Sequence, residues 1–132
     1  MIWRRAGAAA LSLLIADPAW ASTAPKPMSY VDAIICHAAY TVELEKAGVA
    51  GQSGNTKADA YKYFAQRAAS RLGATEGKSA AQIEADLATG VGEIQQMAAK
   101  GPDDKGQTGM QRLHLYANVC FGIIDDDKGV GR

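Results

Sequence analysis

Two cysteines, two histidines and a few carboxylate clusters are the residues of this chain whose chemistry could define a site. Cys36 and Cys120 are the only cysteines, 84 residues apart. That distance excludes the C-x-x-C spacing of a redox helix and the C-x-x-C-H spacing of covalent haem attachment. A single pair in an oxidising compartment forms a structural disulfide. Closing so long a loop stabilises the fold by roughly 4–5 kcal/mol at most in the chain-entropy model. His37 and His114 are the only histidines. Two ligands without a carboxylate at fixed spacing make no metal site, so none is expected. Both read as residues on the flanks of helices, and His114, three residues before Ala117, is the one candidate for a haem or ligand contact.

The carboxylates are less specific. Asp125-Asp126-Asp127-Lys128-Gly129 begins like a calcium loop, but the sequence ends at Arg132, before the bidentate Glu of position twelve. It reads as a solvated acidic tail, as does Asp103-Asp104. No Ser-His-Asp set sits on an elbow motif, and the Glu-x-x-His of a di-iron bundle is absent. The pattern leans away from an enzyme, and no cofactor is expected.

The start of the chain says where the protein works. Met1-Ile2-Trp3-Arg4-Arg5 is basic, Ala6 to Ile15 is apolar, and Ala19-Trp20-Ala21 supplies small residues at the peptidase positions. This order is that of a secretory signal peptide over residues 1–21, cleaved before Ser22. The apolar run is shorter than the roughly 20 residues of a membrane span, and no stable membrane anchor follows. Arg4-Arg5 also opens a twin-arginine signal, but Ala6-Gly7-Ala8 lacks the bulky apolar residues of the fuller motif. The protein is therefore expected to be exported, periplasmic or extracellular. Cleavage takes Arg4, Arg5 and Asp17 from 14 basic and 14 acidic residues, leaving a net charge of −1. A near-neutral chain is not expected to bind nucleic acid, which needs a surplus of Lys and Arg.

The elements that must position these residues are helices. Residues 22–28, with Pro25 and Pro27, form a flexible leader, and residues 29–132 form a single helical domain. Ser29 and Asp32 make a capping box. A first helix to about Gly48 then carries one strip through Val31, Ile34, Ile35, Ala38 and Val42, and an opposite one through Ala33, Cys36, Tyr40, Leu44 and Ala47. Two apolar faces make it central. After a glycine-rich loop (48–55), Thr56 caps a second helix with Tyr61, Phe64, Ala65, Ala68 and Leu72 on one face, closed by Gly73. Ser79 and Gln82 open a third, whose stripe is Ile83, Leu87, Val91, Ile94 and Met97, with Gly90 and Gly92 inside it for close packing. The fourth starts between Asp103 and Thr108, buries Met110, Leu113, Ala117, Cys120, Phe121 and Ile124, and stops near Ile124. Three aspartates are unfavourable at the negative end of a helix dipole. Four stripes with short connections predict an all-α antiparallel four-helix bundle, with the disulfide joining its first and last helices.

One charge asymmetry remains. Lys57, Lys62, Arg67 and Arg71 on the second helix face a third helix with Glu84, Asp86 and Glu93. The two helices can pair with each other. Otherwise Lys62, Arg67 and Arg71, with Tyr61 and Tyr63, form a surface for an acidic protein partner. The function expected is a non-catalytic binding module. The alternative is a carrier holding haem, a metal ion or an apolar molecule in the bundle core.

Overall fold

The computed structural model describes residues 27–47 and 56–130. The signal segment, the leader to Lys26 and the loop 48–55 lie outside the described residues. The described residues are all-helical in their regular structure, with α1 Tyr30–Lys46, α2 Thr56–Thr75, α3 Ala80–Ala98 and α4 Gly109–Val130. The described residues contain no strand. The predicted boxes at Ser29 and Ser79 are formed: each hydroxyl accepts from the backbone N–H three residues on, and the Asp32 or Gln82 side chain accepts in return. A further box opens α4, where Thr108 and Gln111 exchange the same pair of bonds at 2.8 and 3.1 Å. Each box satisfies donors that the first helical turn leaves free.

The helix ends depart from expectation in two places. Gly73 does not close α2. The helix runs two residues further and ends in a Schellman turn at Gly77, whose φ is +85°. The Lys78 N–H there donates to the Gly73 carbonyl and the Gly77 N–H to that of Ala74. Gly73 has a different task. A Cβ on it would lie 2.7 Å from the Ile83 side chain and 2.9 Å from the Tyr30 ring, so its lack of a side chain lets α1, α2 and α3 converge. Nor does α4 stop near Ile124. It continues through the three aspartates because two of them have partners. Asp125 accepts from the Tyr61 hydroxyl, while Asp127 takes Arg71 at 3.0 Å and the Met28 N–H at 3.1 Å. Contacts from distant segments outweigh the local dipole penalty of less than about 1 kcal/mol per charge.

Around α1 the core is continuous. Ala33, Cys36, Ala38, Ala39, Tyr40 and Val42 are fully buried, and α1 packs against all three other helices. Cys36 is bonded to Cys120, joining α1 to α4. One turn on, the buried Tyr40 hydroxyl donates to the Ala117 carbonyl at 2.9 Å, and its ring meets those of Tyr61 and Phe121. Met28, assigned by sequence to the flexible leader, is 3% exposed and belongs to this core. Of the strip expected to be buried, Ala38 and Val42 pack against Ile94, Ala98 and Leu113, whereas Val31 and Ile35 are exposed. That face of α1 is covered only over its C-terminal half. Of the two inner glycines of α3, Gly90 serves close packing: a Cβ there would lie 2.9 Å from Ile34. Gly92 has open space around it.

The two kinds of glycine give opposite outcomes in thermal melts. Gly92→Ala should raise stability by up to about 1 kcal/mol through helix propensity alone. Gly73→Ala makes the same propensity change but should lower stability by about 1–3 kcal/mol, because Ile83 and Tyr30 must move. A Gly73→Ala protein that melts higher than the wild type would contradict this packing.

Candidate functional site: a basic cleft between two helices

The basic face of α2 is divided by the fold. The Lys62 charge acts on His37 of α1, whereas Arg67 and Arg71 border a cleft with α4. Neither arginine pairs with an acid of α3. Arg71 pairs with Asp127 of α4, and the one α3 carboxylate in an ion pair among the described residues, Asp86, is held by Lys78. The expected pairing of second and third helices is therefore replaced by pairing of the second with the fourth. Arg67 donates to the Tyr63 hydroxyl at 3.1 Å and lies 5.6 Å from the centre of that ring.

The cleft holds about 220 Å³ and is lined by Met28, Phe64, Ala68 and Ile124 below and by Arg67, Arg71, Asp127 and Lys128 around them. Its floor is apolar and nearly covered: Ile124 is 1% and Ala68 5% exposed. Lys128 is here because α4 continues past Ile124. Its ammonium lies 4.3 Å from the centre of the Phe64 ring and 5.2 Å from that of Tyr61. Such contacts hold a cation without neutralising it. Among the described residues neither Arg67 nor Lys128 has a carboxylate partner, whereas Arg71 and Asp127 neutralise each other. The result is two positive charges, in no ion pair among the described residues, over an apolar floor. Arg67 and Arg71 are the site residues expected from the sequence, whereas Lys128, Phe64, Met28 and Asp127 join them only through the fold. Tyr61 stands behind the cleft in the aromatic cluster with Tyr40, Phe64 and Phe121.

The histidines occupy different settings. The His114 side chain is 57% exposed and its Nδ1 contacts Glu43 Oε1. His37, expected on a flank, is instead 9% exposed, and its Nδ1 has no hydrogen-bond partner among the described residues. Burial, and then the positive charge of Lys62, lower its pKa below the ordinary 6.5. Among the described residues no three His, Cys, Asp or Glu side chains gather as around a metal ion, and no helix is long and apolar enough to cross a membrane. The chain matches no protein-family model, and no curated protein or solved structure is significantly similar to it.

The setting of His37 gives a pH dependence of known sign. The unfolded chain takes up a proton near pH 6.5, whereas the folded His37 stays neutral to lower pH. Its contribution to stability is therefore full above about 6.5 and is lost as pH falls towards the folded value. A His37→Leu variant should lose less stability than the wild type between about pH 7 and pH 5 in denaturant titrations. Identical pH slopes for the two proteins would contradict this.

Proposed function

We propose that this is an exported, non-catalytic binding module whose recognition surface is the basic cleft between α2 and α4. The observation that carries the reading is the pair of charges on Arg67 and Lys128, uncompensated among the described residues, above the apolar floor of Met28, Phe64 and Ile124. Groups so arranged attract an acidic partner at range and hold its apolar part at contact. The signal-like N-terminus and the disulfide support action outside the cytoplasm.

The scaffold proposed for this site is an antiparallel up-down-up-down bundle. Contact order supports it. Cys36, Tyr40 and Glu43 meet Cys120, Ala117 and His114, climbing α1 while descending α4. Tyr30, Ile34 and Glu45 meet Asp86, Gly90 and Gln95, climbing α1 and α3 together. Lys57, Tyr61 and Phe64 likewise climb with Phe121, Asp125 and Lys128.

A double Arg67→Gln/Lys128→Gln variant tests the reading. Its melting temperature should fall by a few degrees at most, since Arg67 is exposed, the half-buried Lys128 loses only its contact with the Phe64 and Tyr61 rings, and neither is in an ion pair among the described residues. Association with partners identified by crosslinking in periplasmic extract should slow about tenfold and lose its salt dependence. Lys62→Gln, on the other side of α2, should change neither. A double variant that associates at the wild-type rate with the wild-type salt dependence would remove the cleft from function.

A further inference from the structure

Resting on the reading of the cleft as the recognition surface, the geometry points to its ligand: a carboxylate that carries one compact apolar group. The volume sets the size. About 220 Å³ lies below the roughly 300–1,000 Å³ that encloses a drug-sized molecule, which leaves room for one side-chain-sized anchor. The floor sets the chemistry of that anchor, because Met28, Phe64, Ala68 and Ile124 offer it only apolar surface.

The rim sets the head group. Asp127 is paired with Arg71 and accepts from the Met28 N–H, so its charge is offset by that of Arg71 and an incoming anion meets a neutral pair there. Among the described residues Arg67 spends only one guanidinium hydrogen bond, on the Tyr63 hydroxyl, and its planar fork matches a carboxylate in two parallel hydrogen bonds. Lys128 adds a second, compact charge from the facing helix. A phosphate fits less well. Apart from Met28, the walls come from within α2 and α4, beyond their first turns, where backbone N–H groups are engaged in helix hydrogen bonds. Phosphate sites recruit free N–H groups at helix N-termini or nests. Such a carboxylate occurs at the C-terminal residue of a protein chain with an apolar side chain, or in a small apolar acid.

Titration of the mature, disulfide-bonded protein tests the assignment, read by amide chemical shifts and calorimetry. The probes are N-acetyl-leucine, its amide, acetate, octanoate, and a tetrapeptide ending in leucine with a free carboxylate. N-acetyl-leucine should bind at millimolar affinity, as its few non-hydrogen atoms allow, and shift Phe64, Arg67 and Lys128. The amide, lacking the charge, and acetate, lacking the apolar group, should each bind at least tenfold more weakly. Arg67→Gln and Lys128→Gln should each weaken the acid by about tenfold while lowering the melting temperature by no more than a few degrees. A tetrapeptide that binds more tightly than octanoate assigns the cleft to chain ends; the reverse order assigns it to small acids. Equal binding of acid and amide overturns the carboxylate assignment, as does the absence of shifts at these residues. If the double variant nonetheless loses its partners, only this assignment falls. If the acid binds as expected while partners are unaffected, the ligand chemistry stands and the partner reading falls.

Discussion

The bond between Cys36 and Cys120, with the Tyr40 hydroxyl on the Ala117 carbonyl one turn away, fixes where α4 lies against α1. The placement of the α4 side of the cleft follows from that seam. The disulfide closes a loop containing most of the domain, so it restrains the denatured chain. The hydrogen bond satisfies a phenol that is wholly buried, which would otherwise cost a few kcal/mol. Together they hold Phe121 one residue beyond the bridge, in the aromatic cluster with Tyr40 and Tyr61. The register of α4 against α2 is set there, and with it the placement of Asp125, Asp127 and Lys128.

The cleft results from a competition between local and distant electrostatics. Taken alone, three consecutive aspartates near a helix C-terminus favour fraying. Tyr61, Arg71 and the Met28 N–H supply partners for two of them, and the added helical turn carries Lys128 over Phe64. The acidic run thus presents a cation. Arg71 is consumed in holding α4, which leaves Arg67 and Lys128 as the charges facing outward. Neighbouring basic residues of the same face thus differ: Arg71 holds α4, while Arg67 is left for the recognition proposed above.

Much of the scaffold was legible because it is written in local chemistry. The boxes at Ser29 and Ser79 and the period of the apolar stripes depend only on residues a few positions apart, and the cysteine pair needs nothing but its count and compartment. The Thr108–Gln111 box belongs to the same class and was readable, yet the adjacent glycines and aspartates obscured it. What stayed hidden depends on contacts across the chain. Gly73 resembles a helix stop until Ile83 and Tyr30 are seen against it. His37 sits between the two apolar strips of α1, yet it is 9% exposed and feels the Lys62 charge of α2, a setting that local period does not reveal. Val31 and Ile35 have the right period for a core, but the covering of that face ends before it reaches them. For the site, Arg67 and Arg71 were visible as a charge excess. Lys128 was not, because its role requires a helix that local rules end four residues earlier.

The continuation of α4 through Asp125–Lys128 is the claim on which both the cleft and its charge depend. Backbone 13Cα chemical shifts of the mature protein in solution measure it directly. Helical shifts through Lys128, with slowed amide exchange at Asp127 and Lys128, are the predicted result. Coil shifts from Asp125 onward would take Lys128 away from Phe64 and Arg67 and contradict the account.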